Sequence, residues 1–197
     1  MERYDRQVTA DGLLLRLHQE DFCQALGIAP EYKYQNEGGP DLSKAFELVR
    51  QATRPSAPQI LKLLDFAIFN VLVGKHDAHG KNFSLLYTPQ GIVLAPCYDV
   101  LTTAVYPNLT DKMAMKIDSK YRFTEVQLRH WERFAAAAGL SPAQVKKRIL
   151  NIAGCLPGLA EETMAVFEAE GNGHTILPQI MTLIEERCER AIRSLKS

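Results

Sequence analysis

Apolar residues recur along this chain with two spacings. Ile60, Leu61, Leu64, Ala67, Ile68, Val71 and Leu72 follow one another at intervals of three and four, which predicts a long core helix from Pro58 to Gly74 with Pro58 in its first turn. Past Gly74 the period shortens to two. Phe83–Tyr87 and Ile92–Ala95 alternate as two short strands, and Thr88-Pro89-Gln90-Gly91 between them predicts a β-hairpin. Met113–Ile117 reads as a third extended piece. From Thr124 the helical spacing returns in four segments, Thr124–Ala138, Ser141–Ala153, Leu159–Ala169 and Thr175–Leu195. Ser141-Pro142 supplies a cap followed by proline at the first position, and Leu128, Trp131 and Phe134 fall on one face as core.

The first third is less regular. Leu13-Leu14-Leu15-Arg16-Leu17 reads as sheet or core extension with nothing upstream to pack against, so the expectation is a chain that begins within a domain. Gln19–Gly27 predicts a short helix stopped by Gly27, and Ile28–Pro40 a loop. Asp41 caps a helix bearing Phe46, Val49 and Arg50, which Arg54-Pro55-Ser56-Ala57-Pro58 closes. The sum is a mainly α fold with a small β-hairpin, one domain over residues 1–197, without internal repeats.

Composition narrows the classes. Of 197 residues, 46% are hydrophobic and 23% charged, a make-up that buries a sizeable core and excludes disordered and collagen-like chains. Twenty-three Lys and Arg balance 23 Asp and Glu, so no global field holds nucleic acid or an anionic membrane. Cys23, Cys97, Cys155 and Cys188 stand singly, as reduced thiols in a cytoplasmic protein do. The opening residues carry no apolar signal core, and the run from Ile60 to Gly74 is broken by Lys62, Asp65 and Asn70 and falls short of the roughly 20 residues of a membrane span.

The densest polar cluster, Gly74-Lys75-His76-Asp77-Ala78-His79-Gly80-Lys81-Asn82, joins the core helix to the hairpin. Because a short hairpin returns the chain close to its start, Cys97-Tyr98-Asp99 at its exit should lie near Asn82. Asp77, Asn82 and Asp99 then suit phosphoryl transfer: one carboxylate to take a hydroxyl proton, an amide oxygen and a second carboxylate to hold Mg²⁺ against phosphates. Asp-x-x-x-x-Asn, followed by a strand pair and another Asp, is the order of a kinase catalytic loop and metal loop.

On these residues the chain resembles the C-terminal lobe of the HipA family of serine/threonine kinases, the toxins of HipBA-type toxin–antitoxin systems. The resemblance covers nearly the whole chain: Glu2-Arg3-Tyr4-Asp5-Arg6 at an interlobe hinge within residues 1–20, Arg16-Leu17-His18-Gln19-Glu20-Asp21 after it, His76-Asp77-Ala78-His79-Gly80-Lys81-Asn82-Phe83 and Pro96-Cys97-Tyr98-Asp99-Val100. It implies a protein-kinase-like fold of HipA type that binds ATP and Mg²⁺, with Asp77 as catalytic base and Asn82 and Asp99 on the metal. It further implies that His79 reaches the ATP phosphates, that Glu2 and Tyr4 contact adenine, that Gln19 lies near the sugar or phosphates and that Tyr98 flanks Asp99. The partners it implies are a HipB-like DNA-binding antitoxin, a protein substrate of which an aminoacyl-tRNA synthetase is one type, and an N-terminal lobe; the implied outcome is growth arrest and persistence.

HipA-like kinases are about twice this length, and the glycine-rich loop and phosphate-holding lysine of their N-terminal lobe have no counterpart here; Gly38-Gly39-Pro40 has neither the strand before it nor the lysine. The expectation is little or no kinase activity from the chain alone. The alternative is a non-catalytic module that pairs with an antitoxin or with a separate N-terminal lobe.

Other readings compete. His76-Asp77 also spells the doublet of HD phosphohydrolases, yet only His18, His130 and His174 remain as further histidines, none in a ligand motif. A zinc site from His76, His79 and Cys97 lacks structural spacing. His76 reads equally as a hydrogen-bonded loop histidine, and Lys75 and Lys81 as solvated. Lys146-Lys147-Arg148 reads as a solvated face, and Arg187, Arg190 and Arg193 as intrahelical partners of Glu185, Glu186 and Glu189. Tyr106–Thr110 falls where kinases receive protein substrate.

Overall fold

A computed structural model describes residues 3–195. They form two compact units, one of residues 1–64 and 78–99, the other of residues 65–77 and 100–197.

In the first unit, β1 (Arg6–Val8) pairs antiparallel with β2 (Leu14–Arg16), Arg6 opposite Arg16. The leucines of residues 13–17 are thus sheet, as read, but not core: Leu13, Leu14 and Leu15 are exposed, with Val8 across from them. β3 (Gln19–Asp21), β4 (Ser84–Thr88) and β5 (Gly91–Leu94) make a second antiparallel sheet in that order, with Gln19 opposite Leu86 and Leu85 opposite Leu94. The hairpin predicted from alternation is therefore present with a third strand on its edge. Pairing with β4 takes Gln19–Asp21 out of the helix predicted there; only α1 (Phe22–Ala25) is helical, closed by Gly27 at φ +66°. Its cap is reciprocal: the Asp21 carboxylate accepts from Gln24 N and Gln24 Oε1 accepts from Asp21 N, both at 2.9 Å.

α2 (Leu42–Ala52) begins at Asp41, whose carboxylate accepts from Lys44 N, and buries Leu42, Ala45, Phe46 and Val49. α3 (Ser56–Leu72) has Pro58 in its first turn, where a missing N–H costs nothing. Within the first unit it grips the hairpin by polar contacts: Gln59 Oε1 accepts from Leu94 N at 3.0 Å, and Lys62 Nζ donates to Leu94 O at 2.9 Å.

The second unit takes up α3 from Asp65, with Ala67, Ile68, Val71 and Leu72 buried. β6 (Lys112–Ile117) contains the extended piece read at Met113–Ile117 and pairs through an irregular register with β7 (Lys120–Arg122), which alternation did not reveal. α4 (Leu128–Ala137) starts four residues later than predicted, because Phe123–Glu125 form a 3₁₀ turn. Trp131 and Phe134 are core, their rings edge to face at 5.8 Å. The two helices predicted over Ser141–Ala153 and Leu159–Ala169 are one, α5 (Pro142–Ala169), with Pro157 inside it; α6 (Leu177–Ser194) packs along α5. Ser141 precedes α5 without a side-chain capping bond.

Charged positions correct several expectations. Lys75 is buried rather than solvated, and Lys81 forms an ion pair with Asp21 at 2.6 Å. Arg148 of the basic run pairs with Asp65 at 2.6 Å. On α6 only Arg193 makes the expected intrahelical pair, with Glu189; Arg187 donates to Val71 O and Arg190 to Thr124 O. All four cysteines are free.

Candidate active site

The hairpin register decides where the polar residues meet. Leu85 pairs with Leu94 and Ala95 N donates to Ser84 O at 2.9 Å, so the chain past β5 runs back alongside the turn before β4. There Asn82 Nδ2 donates to Asp99 Oδ2 at 2.6 Å, bringing together two residues 17 apart, as the sequence implied. Asn82 closes the 3₁₀ turn Gly80–Asn82, and its Oδ1 accepts from His79 N at 3.2 Å, which fixes the amide's orientation. Asp99 adopts a left-handed backbone, φ 52°, a conformation that Asp tolerates better than most side chains and that is enriched at functional positions.

Tyr98 points the other way. Its hydroxyl donates to Lys81 O at 2.7 Å, so in the 2.6 Å contact with Ser84 it accepts from Ser84 Oγ. Burial drives its pKa strongly upward, and it stays a neutral phenol. Tyr4 stacks on it with ring centroids 6.2 Å apart, and Tyr4 OH donates to Gln19 Oε1 at 2.9 Å. Three residues expected to face a nucleotide, Tyr4, Gln19 and Tyr98, therefore form one connected cluster. The segment holding Tyr4 is itself fixed: Asp5 O accepts from Leu17 N at 3.0 Å, and hydrogen bonds from Arg3, with a second arginine at Arg6, hold the Asp5 carboxyl at about 2. Glu2 lies outside the described residues.

His79 is buried, edge-on to the Tyr34 ring at 5.2 Å. The loop of residues 28–40 braces this turn, since Gly80 N donates to Lys33 O at 3.1 Å. A Cβ on Gly80 would stand 2.5 Å from Pro40 Cγ and 2.9 Å from Cys23 Sγ, so only glycine fits. Ser84 and the Asp21–Lys81 pair were not read as site residues. Ser84 could have been, because it heads the strand two positions after Asn82.

Asp77 belongs to the second unit, three residues past Gly74, which turns the chain after α3 at φ +74°. The residue before it, His76, is buried with Nδ1 3.0 Å from Thr110 O, the hydrogen-bonded loop histidine of the simpler reading. Among the described residues no three His, Cys, Asp or Glu gather to hold a metal, which removes the zinc reading. The Asn82–Asp99 pair offers an amide and a carboxylate, hard oxygen donors of the kind Mg²⁺ takes when phosphates complete its shell. The residues present fit that ion.

Known proteins resemble this chain over most of its length. The HipA-like C-terminal domain family matches residues 1–158. Relatives include "Putative kinase Y4mE" of Sinorhizobium fredii, 52% identical over 152 residues that make up 77% of this chain and 36% of that protein. Another is the serine/threonine-protein kinase toxin HipA of Shewanella oneidensis, 28% identical over 96% of this chain and 47% of its own length. The chain thus spans half or less of the length of these relatives. Among solved structures, the Shewanella oneidensis toxin–antitoxin complex of HipA, HipB and operator DNA contains a chain that matches at a TM-score of 0.81 and 26% identity, over all of this chain and 50% of that one. No helix among the described residues is long and apolar enough to cross a membrane. With four-fifths of its length matched by one family and its fold shared with HipA, this chain belongs to the HipA-like C-terminal domain family, a kinase-like family.

Proposed function

We propose that the chain is the catalytic lobe of a HipA-type serine/threonine protein kinase and transfers the γ-phosphoryl of ATP to a hydroxyl of a protein. The observation that carries this reading is the Asn82–Asp99 pair at the hairpin mouth, with Asp99 in a left-handed backbone, in a chain of this family. Asn82 and Asp99 would hold Mg²⁺, which when bound neutralises charge on the phosphates. Asp77, five positions before Asn82, takes the proton from the substrate hydroxyl as its oxygen accepts the phosphoryl group and ADP leaves. Tyr4 offers its ring to adenine, Gln19 and Tyr98 set the surroundings of that ring, and His79 serves the phosphates. The greater length of the relatives and the complex of HipA with HipB and operator DNA support a reading in which this chain works with an N-terminal lobe and a HipB-like antitoxin and is weak alone; a cytoplasmic location goes with that reading.

Asp77→Asn, assayed for phosphotransfer with an N-terminal lobe supplied, should lower the rate by about 100- to 10,000-fold, the usual worth of a general base. Mg²⁺-ATP binding should be retained, since the change removes a charge and almost no volume. Wild-type rates in the variant would remove Asp77 from the mechanism. A non-catalytic binding module is favoured by one observation, the exposed apolar strip of Val8, Leu13, Leu14 and Leu15, and it predicts no phosphotransfer under the same assay.

A further inference from the structure

Arg187 is a charged residue in a place that charges avoid. It projects from α6 into the second unit, and burial lowers its pKa to about 10. No carboxylate among the described residues pairs with it. Its Nε donates to Val71 O at 2.9 Å, in the last turn of α3, and its guanidinium carbon lies 4.3 Å from the centre of the Phe123 ring. Its Nη2 is buried without a hydrogen-bond partner. An arginine kept under these conditions holds something that a neutral side chain would not.

Its charge also reaches His76. With Nδ1 against the carbonyl of Thr110, the ring carries its proton on Nδ1, and Nε2 is a bare acceptor, buried and also without a partner. Nη2 and Nε2 are not hydrogen-bonded to each other, and the charge of Arg187 weighs on the His76 ring. The backbone of this segment is fixed on both sides. His76 N donates to Thr103 Oγ1 at 2.8 Å, His76 O accepts from Ala114 N at 2.7 Å, and Gly74 O accepts from Ala104 N at 3.0 Å. α6 presses closely here: a Cβ on Gly74 would stand 2.9 Å from Leu183 Cδ2, one turn before Arg187 on the same face.

We propose that Arg187 is a positioning residue for Asp77: from α6 it ties the end of α3 through the Val71 carbonyl, brings its charge to bear on His76, and so sets the backbone from which Asp77 projects. The inference rests on the role of Asp77 given above, and its first test does not. In ¹⁵N spectra of the His76 ring in this chain, the neutral ring of the wild type is protonated at Nδ1 and its titration lies below the ordinary imidazole range. Arg187→Gln removes the charge and leaves burial, which lowers the His76 pKa, opposed by the Thr110 carbonyl and Asp111. The His76 titration then moves up toward the ordinary imidazole range. Arg187→Lys keeps the charge, so the midpoint stays low, while Arg187→Met also removes it and carries the test if the glutamine variant does not fold. A His76 titration unchanged when the charge is removed overturns the proposal.

The second readout uses the kinase with its N-terminal lobe supplied. Arg187→Gln lowers kcat about tenfold, leaves the KM for ATP unchanged, and moves the acid limb of the pH–rate profile with the His76 midpoint. An unchanged kcat also overturns it. If the wild type shows no phosphotransfer at all, the kinase reading has failed while the ring spectra still decide whether Arg187 acts on His76.

Discussion

Tyr98 shows what single residues contribute here. Its hydroxyl takes part in two bonds, with Ser84 Oγ and Lys81 O, and both hold the chain that carries Asp99 against the turn that carries Asn82. Tyr98→Phe should cost about 1–2 kcal/mol, since it removes two buried hydrogen bonds of roughly 1 kcal/mol each, measured as a lower urea midpoint. An unchanged midpoint would mean that Asp99 is held by its own backbone turn. At this scale the sequence was informative where chemistry repeats a known spacing: Asn82 and Asp99 meet as the hairpin implied, whereas the mutual contacts of Tyr4, Gln19 and Tyr98 were not read. It was uninformative where the role of a charge depends on packing. Lys75 and Arg187 sit in stretches that read as solvated or self-paired, and only the tertiary fold buries them.

Elements were legible in proportion to their periodicity. The core helix and the β4–β5 hairpin carry strong signals, whereas β3 and β7 span three residues each, too short to express alternation, and exist because a neighbour pairs with them. Proline misled in the opposite direction. The pattern reads as two helices on either side of Pro157, yet α5 runs through it, because one lost N–H is outweighed by the length of α5 packed against α6. The helix therefore carries a local cost, and Pro157→Ala should raise stability by about 1–2 kcal/mol in urea unfolding, the interior-proline penalty less the freedom regained by the unfolded chain. A loss of stability would mean that Pro157 is required for the fit of α5 to α6.

At the scale of the whole molecule, the division into two units was not legible, because α3 crosses it without any break in its apolar pattern. The second unit has a distinctive pH response. Burial lowers the pKa of both His76 and His130, and His130 Nδ1 accepts from Gln127 N at 2.9 Å, a bond that protonation destroys. The unfolded state thus binds more protons below the ordinary imidazole range, and stability that is present at neutral pH is lost as pH falls. Urea midpoints at pH 7.5 and 5.5 should show the lower value at 5.5, and a flat profile would contradict the neutral state of both rings. The central claim, that Asn82 and Asp99 form a metal–nucleotide site of the HipA type, is tested most directly by calorimetric titration of Mg²⁺-ATP into this chain and into its Asp99→Ala variant. The account predicts Mg²⁺-dependent binding to the wild type that weakens at least about tenfold in the variant, the loss expected when a metal's carboxylate is removed. Equal affinity in the two proteins would contradict it.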